Sequence, residues 1–212
     1  WNATPEWFVV ASGLAKDIEV IRRVEAETGV PARLIAAVVV PEQLRFFTSE
    51  REVFKRYFEP LKILGSLSQF SLGVSGIKEE TARAIEQHAG DPSSPFYPGM
   101  GYDTLLAYPS EADPTRERFL RLTDAKDHYY SYLYTAIFLK EIMSQWKNEG
   151  YDIAHAPGIT TTLFNIGFDR SFPKSDPKTG GALIEIGGTK YTFGELGAYF
   201  YNSEELRDVF PS

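Results

Sequence analysis

The sequence predicts a single, mainly α-helical domain with a small β-hairpin near the C-terminus. Its 212 residues are enough for one well-cored domain and few for two. Apolar residues recur at three- and four-residue spacing through most of the chain, which is the helical period. A strand pattern appears only after Gly180, in residues 182–186 and 189–193. These two segments flank Gly187 and Gly188, a pair that is typical of a two-residue hairpin turn.

The composition is that of an acidic globular protein. Hydrophobic residues make up 43% and charged residues 24%, and the net charge is −7. This charge, without any cluster of Lys and Arg, argues against nucleic-acid partners. No apolar run approaches the roughly 20 residues that span a bilayer, so we expect no membrane span in this chain.

Neither a metal nor another cofactor is expected. The chain has no cysteine, which excludes disulfides and Cys-ligated zinc. Three histidines, His88, His128 and His155, lie far apart in the sequence and lack metal-ligand spacing. Asp124 and His128 are four residues apart, which favours a capping Asp and a hydrogen-bonded His over a metal site.

The N-terminal part is expected to hold two consecutive helices. Residues 15–28 form an amphipathic pattern. Gly29 ends this helix and Pro31 starts the next, as glycine and proline do at these positions. The second helix, residues 32–47, is almost wholly apolar in its first half, so it should lie at the centre of the fold.

One glutamate, Glu42, follows the apolar run of residues 34–41. Pro41 removes a helical hydrogen bond, so we expect a kink or a helix end that presents Glu42 at a discontinuity. A carboxyl group pressed against apolar side chains resists ionising. It can then donate a proton near neutral pH, as the acid of a glycosidase does. By itself, however, this pattern favours an ordinary surface glutamate just past a buried helix segment.

The middle of the chain alternates short helices and loops. A capping-box pattern at residues 49–52 opens a third helix that ends near residue 64. Residues 65–76 form a Gly- and Ser-rich loop, and residues 77–88 form a short helix. Residues 90–109, dense in Pro, Gly and Tyr, are expected to be loop.

The second half of the chain contains the longest expected helix. Residues 113–122 form a helix with an Asp N-cap and a Pro in its first turn. The longest helix runs from residue 123 to about 146, and a short one covers residues 158–167. Ser203 is expected to cap a terminal helical segment. The apolar stripe of the longest helix is expected to be core: Tyr130, Leu133, Tyr134, Ile137, Phe138 and Ile142.

Three segments, in this order, resemble the lysozyme-like lytic transglycosylases of glycoside hydrolase family 23. In that family a buried helix ends with the catalytic glutamate, and residues 36–43, with Glu42, are similar. Residues 71–82 resemble the family's second block. Residues 122–124, at the start of a long helix, and residues 162–167 resemble the third.

The resemblance covers about residues 15–170. It implies a lysozyme-like helical domain over residues 1–212, in which residues 171–212 add the hairpin and a terminal helix. For the hairpin, a brace for the helical core is favoured over a partner surface or a lid.

The resemblance also implies a reaction that uses one carboxylic acid. The family cleaves the β-1,4 bond between N-acetylmuramic acid and N-acetylglucosamine in peptidoglycan. Glu42 would protonate the glycosidic oxygen and then act as base on the muramoyl 6-hydroxyl, which closes a 1,6-anhydro ring. No second carboxylate is required, and the glutamates nearest in sequence are expected to be solvent-exposed: Glu50, Glu52 and Glu59.

Five further residues are implied to bind the substrate. Ser71, Gly73 and Gly76 would bring backbone close to the sugar, since glycine permits close approach. Phe164 and Asn165 match the family segment that packs beside the glutamate. Each also has a structural alternative, as part of an ordinary loop or as a helix cap.

Two of these positions depart from the family pattern. Gly76 stands where the family has Gln, and Phe164 stands where it has Tyr, so a hydroxyl is lost. The departures motivate a second hypothesis beside the leading one, a catalytically weak or inactive module that binds cell-wall glycan or an envelope protein. A hydrolytic muramidase is a third possibility. Other tyrosines could supply the hydroxyl: Tyr97, Tyr102, Tyr108, Tyr129 and Tyr130.

The expected partner is the glycan strand of peptidoglycan, with an envelope protein as a second possibility. We therefore expect a periplasmic or otherwise extracytoplasmic location. The chain begins with Trp1 rather than Met, which is consistent with a signal peptide that has been removed.

Overall fold

The computed structural model describes residues 1–48 and 74–211, and these residues are mainly helical with one two-stranded antiparallel sheet near the C-terminus. This coarse fold class was predicted correctly. The expected third helix and the start of the following loop, with Ser71, Gly73, Glu50, Glu52 and Glu59, lie outside the described residues. The α-helices are α1 (Pro5–Lys16), α2 (Ile18–Thr28), α3 (Ala32–Thr48), α4 (Glu79–Gly90), α5 (Tyr102–Leu106), α6 (Pro114–Thr123), α7 (Tyr129–Asn148), α8 (Pro157–Ile166) and α9 (Phe193–Asn202); the strands are β1 (Leu183–Ile186) and β2 (Thr189–Thr192).

Helix α1 was not predicted, although its start has a local signal. Thr4 caps it by accepting a hydrogen bond from the Trp7 amide, Pro5 stands in the first turn, and Glu6 complements the helix dipole. The helix expected from residue 15 instead begins at residue 18, because Asp17 separates α1 from α2.

Helix α3 is the central element of the fold. Its residues from Leu34 to Val40 are at most 2% exposed, and it contacts α1, α2, α7, α8, α9 and β1. Gly29 ends α2 in the left-handed conformation (φ 69°) directly before it, as predicted. The helix does not end at Pro41 but continues to Thr48. Burial of the residues before the proline stabilises the helix enough to tolerate one lost hydrogen bond.

Helix α7 begins at Tyr129 rather than at Thr123. The Asp124 carboxylate accepts hydrogen bonds from the amides of Lys126 and Asp127, which holds a turn between α6 and α7. Asp124 and His128 therefore do not share a helix face. The predicted apolar stripe is buried except at Tyr130, which is half-buried.

The hairpin and α9 close the C-terminal side. Strands β1 and β2 pair in the predicted register around Gly187 and Gly188, and β1 packs against α3. Ser203 ends α9 instead of starting a helix. The capping box is formed by Thr192 and Glu195, whose side chain and backbone groups bond reciprocally.

Arg33 ties the C-terminal segment to the start of α3. Its guanidinium is fully buried and also lies over the ring of Phe200. Five hydrogen bonds of 2.7–3.2 Å connect it to backbone carbonyls, those of Phe200, Tyr201, Ser203, Glu205 and Phe210.

Candidate active site

Segments far apart in the sequence line one cleft. They are the C-terminal half of α3, the turn that leads into α4 together with α4 itself, Phe138 of α7, and the end of α8 with the residues after it. The cleft has a volume of about 770 Å³, within the range of small-molecule sites. Four of the six predicted site residues line it: Glu42, Gly76, Phe164 and Asn165. The other two, Ser71 and Gly73, lie outside the described residues.

Glu42 lies within α3 and is only 7% exposed. Arg45, one turn further along the helix, also lines the cleft. Its Nη2 atom donates to both carboxylate oxygens of Glu42, at 2.6 Å and 2.8 Å. Burial favours the neutral acid whereas the arginine favours the ionised carboxylate, so the two effects oppose each other.

Arg45 was not predicted as a site residue, although it lies three residues after Glu42 in the sequence. Residues three apart on a helix face each other, and both residues fall within the helix predicted for residues 32–47. Opposite charges at this spacing on one predicted helix therefore indicate the pair.

Gly76 packs directly against the carboxyl group of Glu42. Its backbone has a φ of 63°, and a Cβ built on it would lie 2.5 Å from Glu42 Cδ and overlap Oε1. The two residues that precede Gly76 are each held by a hydrogen bond. The Gln43 side chain donates to the Val74 carbonyl, and Ser75 Oγ donates to the Ser131 carbonyl at 3.1 Å. Only glycine leaves room here for the carboxyl group in its present position.

Three phenylalanines form an aromatic wall of the cleft. The Phe138 ring lies 5.0 Å from Phe164 and 4.3 Å from Phe168, centroid to centroid. Such rings offer apolar surface on which a sugar ring can pack. The described residues that line the cleft include no tyrosine.

Three of the tyrosines considered as hydroxyl donors are bonded to groups outside the cleft. Tyr102 donates to the Thr28 carbonyl at 2.7 Å. The other two donate to carboxylates: Tyr108 to Glu86 and Tyr129 to Glu27.

Asn165 lines the cleft but also holds the loop before the hairpin. Its Oδ1 accepts a hydrogen bond from the Ala182 amide at 2.8 Å. A Cβ at Gly181 would lie at the same distance, 2.8 Å, from that oxygen. The amide oxygen of Asn165 therefore positions the hairpin relative to α8.

The described lining of the cleft also contains charged residues besides Glu42 and Arg45, and one histidine. Lys78, Glu80 and Asp169 are exposed. His88 is half-buried, with Nδ1 2.8 Å from Ser94 Oγ. Burial lowers the pKa of His88, against the opposing effect of Asp91, so this imidazole is neutral at pH 7.

A second cavity, of about 330 Å³, holds none of the predicted site residues. Asp17, His128 and Tyr132 line part of it. Asp17 Oδ2 lies 2.6 Å from His128 Nδ1 and accepts a hydrogen bond from the Tyr132 hydroxyl. The expectation of a hydrogen-bonded His128 is confirmed, with Asp17 as its partner.

The described part of the chain shows no group of three or more His, Cys, Asp or Glu residues that could hold a metal ion. Within residues 1–48 and 74–211, no helix has the length and apolar character needed to cross a bilayer.

Comparison with known proteins gives no relative. No protein-family model matches the sequence, and neither curated proteins nor solved structures give a significant match.

Proposed function

We propose that this chain is a lysozyme-like lytic transglycosylase that cleaves peptidoglycan, with Glu42 as its acid and base. One observation carries the proposal. Residues 36–43, 74–82 and 162–167, which belong to the segments that resemble the family, all contribute to one cleft that contains the buried carboxyl group of Glu42, whereas residues 122–124 do not line it. Because peptidoglycan lies outside the cytoplasmic membrane, the proposal includes an extracytoplasmic location.

The chemistry needs a single protonated carboxyl group. Glu42 donates its proton to the glycosidic oxygen, and the bond between that oxygen and C1 of the muramoyl residue breaks. The resulting carboxylate accepts the proton of the muramoyl 6-hydroxyl while O6 forms a bond to C1. Glu42 ends the cycle protonated, water is not consumed, and the product is a 1,6-anhydromuramoyl end.

A binding module without catalysis is the second candidate. It is favoured by the ion pair with Arg45, which engages both oxygens of Glu42. The replacement of the family's Tyr by Phe164, in a cleft whose described lining has no tyrosine, also favours it.

Digestion of purified sacculi tests the first candidate. Wild-type protein is expected to release 1,6-anhydromuropeptides, detected by mass spectrometry. Glu42→Gln is expected to abolish the product while still binding sacculi in a sedimentation assay. Glu19→Gln changes an exposed glutamate on α2 in the same way and should retain activity.

The products separate the alternatives. Reducing ends without anhydro ends would indicate a hydrolytic muramidase. Sedimentation with sacculi but no released product from wild-type protein would favour the binding module. Anhydro product that is unchanged in Glu42→Gln would overturn the role of Glu42.

A further inference from the structure

The ion pair with Arg45 favours the ionised carboxylate of Glu42, whereas the proposed chemistry needs the protonated carboxyl group. Arg45 Nη2 lies within 2.8 Å of both carboxylate oxygens. An arginine does not give up its proton at ordinary pH, so its contact favours an ionised Glu42. An ionised carboxylate has no proton to donate to a glycosidic oxygen.

Arg45 is the more accessible of the two side chains in this contact. Its side chain is 26% exposed, whereas that of Glu42 is 8% exposed. The contact connects two side chains of one helix at i and i+3, so it does not join separate elements of the fold. A guanidinium binds carboxylates by paired hydrogen bonds, and a second carboxylate in the cleft would compete for it.

The described lining of the cleft contains two carboxylates besides Glu42, those of Glu80 and Asp169. Glu80 and Asp169 are exposed, and Glu80 Oε1 lies 3.8 Å from Lys78 Nζ. Together with His88, which is neutral, these are the other titratable groups among the described residues that line the cleft.

We propose that Arg45 recognises a carboxylate carried by the glycan strand, and that this carboxylate draws Arg45 away from Glu42 so that Glu42 takes up the proton needed for cleavage. The proton comes from solvent, and no covalent bond forms or breaks in this step. The proposal deepens the proposed function and rests on it, because it names the substrate feature that prepares the acid. Arg45 acts here as a recognition and positioning residue.

The carboxylate could have two sources in peptidoglycan. One is the lactyl group of a muramoyl residue that carries no peptide, and the other is the stem peptide. Three ligands distinguish them: glycan strands with stem peptides, strands freed of peptide, and uncharged chitooligosaccharides of similar length.

Binding is the first readout. Glu42→Gln proteins, which are not expected to cleave the ligands, are compared with and without Arg45→Gln by calorimetry. Arg45→Gln is expected to lower the affinity for one of the two carboxylate-bearing ligands about tenfold or more, since hydrogen bonds to charged groups contribute about 1.5–3 kcal/mol. Affinity for the chitooligosaccharide should not change. Arg45→Lys keeps the charge but not the paired hydrogen-bond geometry. Its affinity for the carboxylate-bearing ligand should lie between those of the proteins with Arg45 and with Arg45→Gln.

Titration of Glu42 is the second readout. Carbon-13 spectra of labelled glutamate carboxyls, assigned with Glu42→Gln, report the titration midpoint of Glu42. The midpoint is expected to rise in Arg45→Gln, and to rise in wild-type protein when a carboxylate-bearing fragment without a cleavable glycosidic bond binds. Lys78→Gln removes an exposed charge from the same cleft and should have a much smaller effect.

The outcomes separate this proposal from the proposed function. An unchanged Glu42 midpoint in Arg45→Gln and Arg45→Lys, or an equal loss of affinity for charged and uncharged ligands, would overturn the role of Arg45. If wild-type protein releases no cleaved product but the preference for a carboxylate depends on Arg45, the proposed catalysis fails and recognition by Arg45 stands.

Discussion

A Cβ atom on Gly76 would overlap the carboxyl group of Glu42. The two residues are far apart in the sequence, yet the carboxyl group occupies the space that any larger residue at position 76 would need. A residue larger than glycine at position 76 would therefore require the Glu42 carboxyl to move. Gly76 and the position of Glu42 depend on each other.

We expect Gly76→Ala to displace the Glu42 carboxyl and to lower the rate of anhydro-product release at least tenfold. The substitution also adds the cost of a left-handed alanine, about 1–2 kcal/mol. Initial rates on sacculi and urea unfolding measure the two effects separately.

Gly29→Ala is the matched control for this substitution. Gly29 has nearly the same backbone conformation (φ 69°), but apart from its chain neighbours no described residue lies within 4 Å of a Cβ built there. The Gly29→Ala variant should lose a similar amount of stability but keep the rate of anhydro-product release. Equal loss of rate in both variants would mean that Gly76 acts through stability alone.

Arg33→Lys is expected to destabilise the protein by about 3 kcal/mol or more. A lysine has one ammonium group and cannot reach the five carbonyls that the guanidinium bonds, so buried acceptors lose their donors. The free energy of unfolding in urea measures the loss. Arg22 also donates to a C-terminal carbonyl, that of Val209, but is exposed. Arg22→Lys should change stability by less than about 0.5 kcal/mol.

The pair of Asp17 and His128 predicts a bounded pH dependence of stability. The hydrogen bond with Asp17 raises the pKa of His128 despite burial. Burial alone would raise the pKa of Asp17, but the hydrogen bonds from His128 and Tyr132 outweigh it and lower the pKa. The stabilisation from His128 is present below its ordinary value of 6.5 and is lost as pH rises through the raised pKa. That from Asp17 is present above 3.8 and is lost as pH falls through the lowered pKa.

The stability difference between wild-type protein and His128→Gln should thus be largest between pH 3.8 and 6.5. Urea unfolding at a series of pH values measures it. His155 is exposed, and His155→Gln should give a difference that does not vary in this way. A stability difference between wild-type protein and His128→Gln that is constant from pH 4 to 9 would contradict this role of the Asp17–His128 interaction.

Glu141 is buried in α7, and neither of its carboxyl oxygens has a hydrogen-bond partner among the residues that the structure describes. Burial raises the pKa of Glu141 well above its ordinary value of 4.5. The folded protein therefore holds this proton where the unfolded chain releases it, and its stability falls as pH rises above 4.5.

Glu141→Gln is expected to remove this pH-dependent loss of stability. The stability of the variant relative to wild-type protein should therefore increase from pH 4.5 to 7.5. Urea unfolding at both pH values tests it. Glu149→Gln, at the exposed end of the same helix, is the control and should show no such increase. The same pH dependence in wild type and Glu141→Gln would show that Glu141 reaches a partner or water.

Local sequence patterns predicted the central helix, its preceding Gly29, the hairpin and the position of Glu42 on α3. They also contained signals that were not used, such as Thr4 with Pro5 for α1 and the capping box of Thr192 and Glu195. These features depend on contacts within a few residues, where helix caps, turn conformations and apolar periodicity act.

The sequence by itself determined a mainly helical chain with one carboxyl group at the end of a buried apolar run. Only the tertiary structure decided what surrounds that group. Gly76 against Glu42, and Asp17 with His128 across 111 residues, depend on how whole helices pack. Packing of distant segments is set by the sum of many weak contacts over the chain, and no local pattern specifies that sum.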